Sequence, residues 1–243
     1  MARFFTANDV INRAALECGI VPVTDPYSST DETFVQLSGL LNSAGQEMVE
    51  LHPWQGLRQK WTFTTMPGDT GSYDLPDDFS YMIDQTGWNK SDRLPIGGPL
   101  SSQVWAFMDG LELLDQPLYM NFQIEQNKLE LWPQNPLPTG IDIAFQYQSR
   151  NWAQNPSTEV TSDVIAAGSD LVKYEPILII KMLKAMFLSA KGFDASAARL
   201  EFETMFLSRT GKDAGAPILN ASTGARGVPL LSANNAPWTG YGP

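Results

Sequence analysis

The chain has 243 residues, 43% of them hydrophobic, and carries 27 acidic against 16 basic side chains for a net charge of −11. That length can bury a sizeable core, in one domain or two. The charge excludes the basic footprint that neutralises phosphates, which argues against tight nucleic-acid binding while leaving DNA free to pass nearby.

The excess acid is unevenly placed. Residues 1–90 hold twelve acids against five bases, residues 91–150 seven against three, and residues 151–243 eight of each. The single cysteine, Cys18, excludes a disulfide framework within the chain and reads as a buried thiol. The N-terminus enters a helix signal without a secretory leader, so the chain is expected to be made and kept in a cytosol. No apolar run approaches a membrane span, and no membrane partner is expected.

Thr6 and Asp9 have capping-box spacing, and Val10, Ile11, Ala14, Ala15 and Cys18 then recur at helical steps until Gly19. Pro22 and Pro26 mark a loop. A second box, Ser29 to Glu32, opens a helix whose seam is Phe34, Leu37, Leu41, Ala44, Met48 and Leu51, closed by His52-Pro53. Residues 57–65 alternate as a strand, with Trp61 and Phe63 on one side and Lys60, Thr62 and Thr64 on the other. The turn at residues 66–71 predicts residues 72–75 as its hairpin partner. Residues 82–88 read as another strand and residues 101–108 as a short helix. Residues 119–124, 128–132 and 141–148 form a meander whose first turn is Glu125-Gln126-Asn127. Helical texture returns at Glu175-Pro176. Residues 177–190 are apolar nearly all round, broken by Lys181 and Lys184. Gly192 ends that helix and Asp194 caps the last one, where Ala198, Phe202, Met205 and Phe206 form a stripe and Gly211 supplies the stop.

These elements predict an α+β fold: a four-helix bundle made by N- and C-terminal helix pairs, a mostly antiparallel β insertion projecting from one end, and an extended C-terminal arm. The boundaries are residues 1–56 and 175–213 for the two parts of the bundle, 57–174 for the insertion and 214–243 for the arm. The expected bundle core is Phe34, Leu37, Leu41, Met48, Ile180, Leu183, Phe187 and Phe202. Two separate domains are the alternative, but each helical pair alone would leave an apolar face uncovered.

No active site is legible. His52 is the one histidine and has no nucleophile motif beside it. The common zinc, nucleotide and hydrolase signatures are absent, so no catalytic residue, cofactor or metal is expected. Asp69, Asp74, Asp77 and Asp78 are the best carboxylate cluster, and they read as turn residues ahead of a calcium or acid/base site. Trp61, Trp88, Trp105 and Trp132 sit in apolar or alternating runs, where core or interface is the ordinary reading.

Residues 214–243 carry one charge, Arg226, yet hold Ile218, Leu219, Val228, Leu230, Leu231, Trp238 and Tyr241 among Gly, Pro, Asn and Ser. Free tails stay soluble through charge and low hydrophobicity. This composition therefore predicts an arm that finishes on another surface, with Leu230, Leu231, Trp238 and Tyr241 as anchors. The plainer alternative is an arm folded back on its own domain.

Three stretches carry a family resemblance: residues 6–20, from Thr6-Ala-Asn-Asp-Val through Cys18-Gly19-Ile20; Glu47 through Pro53-Trp54-Gln55-Gly56-Leu57, with Trp61 to Thr65; and Tyr73-Asp-Leu-Pro-Asp-Asp-Phe79. With the overall arrangement they make the chain resemble head-to-tail adaptor proteins of tailed bacteriophages, the tail tubular A-like or gatekeeper class. The resemblance implies a structural virion protein and no enzyme. It implies a homo-oligomeric ring, commonly of twelve copies, in the neck between capsid and tail and assembled in the host cytoplasm. The ring would contact the portal protein above and a tail or nozzle protein below, and genome DNA would pass through it during ejection without specific binding. The arm would dock on the portal. The competing readings are a carbohydrate-binding or hydrolytic β domain on a helical stalk, and a different neck or tail-completion protein.

Overall fold

The computed structural model describes residues 4–110, 120–134 and 137–213. Strand β1 (Phe5–Thr6) leads directly into helix α1 (Ala7–Glu17). The Thr6 hydroxyl accepts from the Asp9 amide at 3.2 Å, and the Asp9 carboxylate accepts from the Thr6 amide at 3.3 Å. This is the reciprocal box its spacing predicts. Gly19, at φ +76°, follows the end of the helix in a conformation that a side chain would strain. Helix α2 (Glu32–Leu51) is capped by Asp31, whose carboxylate accepts from the Thr33 amide at 2.8 Å. Ser29 caps nothing there, but accepts from the Asp31 amide at 3.2 Å. His52 is extended, as the residue before a proline should be.

The chain then turns β. β2 (Arg58–Thr64), β3 (Ser72–Asp74), β4 (Phe79–Met82), β5 (Trp88–Asn89) and β6 (Leu94–Pro95) precede a short helix, α3 (Ser102–Gly110). The hairpin of β7 (Asn121–Glu125) and β8 (Lys128–Trp132) and the long β9 (Asp142–Ser149) follow. Three corrections to the sequence reading arise here. The predicted meander keeps only its first hairpin, because β8 pairs on its other side with β3 while β9 joins a different sheet. The predicted strand over residues 82–88 is broken, because the chain turns at Gln85 (φ 59°) between β4 and β5. The predicted hairpin between residues 57–65 and 72–75 does not form either. β2 pairs instead along its whole length with β9, from Arg58 opposite Gln148 to Thr64 opposite Asp142.

β9 is the spine of one antiparallel sheet, with β2 on one edge, β4 and β5 sharing the other, and β6 beyond β5. β3, β8 and β7 make a second sheet in that order. The aromatic faces explain the pairing. Trp61 and Phe63 lie across from Phe145 and Ile143 of β9, while Tyr73 meets Phe63 from the other sheet at a ring separation of 4.3 Å. The sheets close over Phe122, Leu129, Leu131, Ile143 and Phe145, with the Phe122 and Phe145 rings edge-on at 5.1 Å. The β7–β8 turn has positive φ at both Gln126 and Asn127, as a two-residue hairpin requires.

The rest of the chain builds a second core. β10 (Ala153–Gln154), β11 (Thr161–Ser162) and β12 (Leu171–Val172) join β1 in a third sheet, ordered β1-β12-β10-β11. Helices α4 (Pro176–Ala190) and α5 (Ser196–Asp213) complete the described chain. Asp194 accepts from the Ser196 amide at 2.9 Å, while Gly211 lies inside α5 and does not end it.

The four-helix bundle with a β insertion is therefore not the fold. Among the described residues the chain is α+β with five helices and twelve short strands in three antiparallel sheets. α4 packs on α1, α2 and α5, but α5 leans on α4 with at most marginal contact to the other helices, so no closed bundle forms. Ala198 is the one buried residue of α5. The reason lies in α4, whose nearly continuous apolar surface needs cover on every side. Part of that cover comes from Trp152, Ala153, Ile165, Val172 and Tyr174, which belong to the third sheet and its connections and share the helical core. Lys181 and Lys184 are accommodated at its edge. Lys181 Nζ lies 2.9 Å from Glu17 and 3.1 Å from Glu201, tying α1, α4 and α5 together.

Phe34, Leu37, Leu41 and Met48 of α2 and Ile180, Leu183 and Phe187 of α4 are buried in this core, and Phe202 of α5 packs partly buried against it. Leu41 and Leu183 are fully enclosed. Truncating either to alanine is expected to destabilise the chain by about 2–5 kcal/mol. A denaturant titration of the two variants checks this, and a loss below ~1 kcal/mol for both would contradict the shared core.

Candidate assembly surfaces

Most of the groups that could have carried catalysis are engaged in structural contacts. His52 Nε2 lies 3.5 Å from an Asp213 carboxylate oxygen, and the ring packs edge-on against Trp54 at 4.9 Å. Burial holds its imidazole below the ordinary histidine range, against the opposing pull of Asp213. The four aspartates do not converge. Asp69 accepts from the Met66 amide and the Tyr73 hydroxyl, both at 2.7 Å, and these bonds hold its carboxyl below the usual range. Asp74 faces Lys128 at 3.5 Å, Asp77 is exposed, and Asp78 accepts from the Tyr147 hydroxyl at 2.7 Å. Among the described residues no group of three or more His, Cys, Asp or Glu side chains could hold a metal ion. No described helix is long and apolar enough to cross a membrane. Cys18 is half-buried at the end of α1, and burial raises its thiol pKa.

The phenols yield a pH expectation. Burial, then the adjacent carboxylate, pushes Tyr73 and Tyr147 above the usual value of 10.0, and burial does the same to Tyr174. A phenol with a raised folded pKa adds stability that is fully present below the unfolded value and is lost as pH rises through the folded one. The thermal midpoint should therefore hold steady to about pH 9 and fall above about pH 10. Tyr73→Phe should soften that alkaline fall. An unchanged midpoint through the alkaline range would refute the account.

Trp61 packs against Phe63 and Phe145, and Trp132 is buried against Trp105 at 5.7 Å, so neither offers a free stacking face. Trp88 is half-buried at the rim of a groove on the β9 sheet. The proposed anchors Leu230, Leu231, Trp238 and Tyr241 lie outside the described residues.

Two kinds of surface remain open. On the helical side, α5 turns Leu200 and Leu207 to solvent, 64% and 71% exposed, and Leu200 borders a groove with Lys181 and Met205. On the β side, none of α3 is buried, and Phe107 is 63% exposed. The outer face of the β9 sheet carries Lys60 and Lys90 around the Trp88 groove, with Arg93 beside them. The outer face of the other sheet gathers Glu125 and Glu130 around Gln123, whose amide nitrogen lies 3.3 and 3.2 Å from the two carboxylates. Sequence reasoning missed this charged pair of faces. Alternation puts Lys60 outside, but its neighbour Lys90 comes alongside only because β9 lies between β2 and β5.

Exposed apolar side chains on α3 and α5 and two oppositely charged sheet faces are surfaces suited to contact with other chains. A family model described as SU10 adaptor protein matches residues 5–227. The chain belongs to that family. The match covers both cores and the five described helices, and the proposed anchors Leu230, Leu231, Trp238 and Tyr241 fall past its end. No curated protein matches the chain. Membership makes it a structural phage adaptor, a component of the virion neck associated with portal and tail. Adaptors of this kind are as a rule not enzymes.

Proposed function

We propose that this adaptor forms a ring, of twelve copies, seated below the portal and joining capsid to tail around a channel for the genome. The family match over residues 5–227 is the observation that carries the reading. In this reading the helical core builds the ring wall, and the β sandwich meets neighbouring copies or tail proteins. Residues 214–243 dock on the portal through Leu230, Leu231, Trp238 and Tyr241. A net charge of −11 suits a wall past which a polyanion must slide, since it disfavours phosphate binding. DNA then passes without specific affinity, and the chain performs no hydrolysis. The rival reading of a glycan-binding or hydrolytic domain draws no support from Trp61 and Trp132, which are packed, or from carboxylates that are scattered.

Electron microscopy of isolated portal rings with and without the full chain tests the proposal. The expected result is an added layer of twelvefold symmetry on the tail-facing side of the portal. Binding of single copies without a ring, or no binding, would overturn it.

A further inference from the structure

The β sandwich is electrically two-faced. Its inner faces are used by the aromatic core, so strand alternation sends Lys60, Thr62, Ala144, Gln146, Trp88 and Lys90 outward from the β9 sheet. The small side chain of Ala144 leaves a groove of about 350 Å³ there, bordered by Lys60, Trp88, Lys90 and Arg93. In a chain with far more acids than bases, none of these three cations forms an ion pair among the described residues. Lys90 lies beside Lys60, and this like-charged contact pulls the Lys60 ammonium below the usual lysine range.

The opposite outer face is acidic. Gln123 and Glu130 pair across β7 and β8, Glu125 pairs with Lys128, and all point away from the Phe122–Leu131 row that faces the core. Glu125 and Glu130 form no ion pair among the described residues. Trp132 shares their outward row and holds α3 against this face through Trp105, so the exposed Phe107 belongs to the acidic side as well.

Opposite charges on opposite faces of one unit are what a head-to-tail contact requires. A two-fold dimer would set like on like, whereas a rotationally repeated contact sets each face against its complement. The geometry points to a contact between copies of this chain in which Lys60, Lys90 and Arg93 of one copy receive Glu125 and Glu130 of the next, with Phe107 of that next copy seated in the groove beside Trp88. This rests on the ring reading above and names the surface that would join its members. DNA is the less suitable occupant. Three cations release few counterions, which is weak retention on a chain that repels polyanions overall.

The test uses the full chain, alone and with its portal, followed by sedimentation velocity and negative-stain imaging. Lys60→Glu with Lys90→Glu makes both faces acidic, and Glu125→Lys with Glu130→Lys makes both basic. Each double variant should need at least about tenfold more protein to assemble, as charge reversal across an interface does. Their equimolar mixture should recover wild-type assembly, with the two variants alternating. The neutral pair Lys60→Gln with Lys90→Gln should fall between, and its thermal midpoint shows that the fold is kept. Double variants that assemble like the wild type while the wild type forms rings would overturn the contact and leave the ring reading standing. A wild-type chain that forms no ring with or without portal would remove both. Loss of salt-sensitive DNA binding in Lys60→Glu/Lys90→Glu, with assembly unchanged, would make the basic face a nucleic-acid surface and also overturn the contact.

Discussion

Gly45→Val should cost on the order of 3 kcal/mol or more, while Gly39→Ala, less than two turns away in the same helix, should stabilise the chain by about 0.5–1 kcal/mol. The opposite signs come from what each position faces. A Cβ on Gly45 would overlap the six-membered ring of the Trp152 indole, whereas a Cβ on Gly39 meets nothing within 4 Å. Trp152 has no room to move away. It is fully buried, its indole nitrogen donates to the Asp163 carbonyl at 2.8 Å, and it stacks on Tyr174 at a ring separation of 5.9 Å. Tyr174 in turn donates its hydroxyl to the Gly45 carbonyl at 2.8 Å, so the helix, the indole and the phenol form one closed packing unit. Gly45→Ala should land between the two, because the gain in helix propensity offsets part of the overlap. Since typical domains are stable by only about 5–15 kcal/mol, the valine variant should show a large drop in thermal midpoint. A Gly45→Val midpoint equal to wild type would mean that α2 and the third sheet are not locked together in this way.

That packing unit also marks where the sequence stops being readable. The helices announce themselves because their signals are local: Thr6 and Asp9 three apart, the Phe34 to Met48 seam at steps of three and four, and proline at the start of α4. Strands β7, β8 and β9 are legible from alternation within single runs. The third sheet is not, since β1, β10, β11 and β12 are two residues long and two residues have no period. Trp152 therefore gives no sign that it fills the space beside α2, and the uncovered surface of α4 invites a helical partner that a strand in fact supplies. Strand pairing fails for a related reason. β2 and β3 are neighbours in sequence with a good turn between them, yet β2 hydrogen-bonds along its length to β9, some eighty residues later, and meets β3 only face to face, through Tyr73 on Phe63. Nothing in the turn encodes that preference. The candidate surfaces follow the same rule: Lys60 can be placed on an outer face by alternation, but the company of Lys90 depends on the order of strands.

Removing residues 214–243 should leave the thermal midpoint within about 2–4 °C of the full chain and abolish stable attachment to the portal. The first half rests on the described buried residues of the two cores, which run from Ala7 to Phe187 in the helical core and from Leu75 to Phe145 in the sandwich, with Trp61, Phe63 and Tyr73 packed against the latter. Asp213, which accepts from the Gln55 amide at 2.9 Å, is retained by the truncation. The second half follows from the anchors. Ordering an arm costs about 1–2 kcal/mol per residue, so four anchors on one copy can hold only a short stretch of backbone. An aromatic anchor in a closed pocket can contribute ~2 kcal/mol or more, and a ring multiplies that contact by the number of arms engaged at once. Attachment should thus depend steeply on each anchor, and Trp238→Ala alone should reduce portal occupancy well beyond the loss expected from a single isolated contact. Portal binding by the truncated and full chains, compared by co-sedimentation beside thermal melts, separates the outcomes. A truncated chain that misfolds would place residues 214–243 in the fold itself. One that still fills the portal would show the arm to be idle, and either result would end the docking assignment.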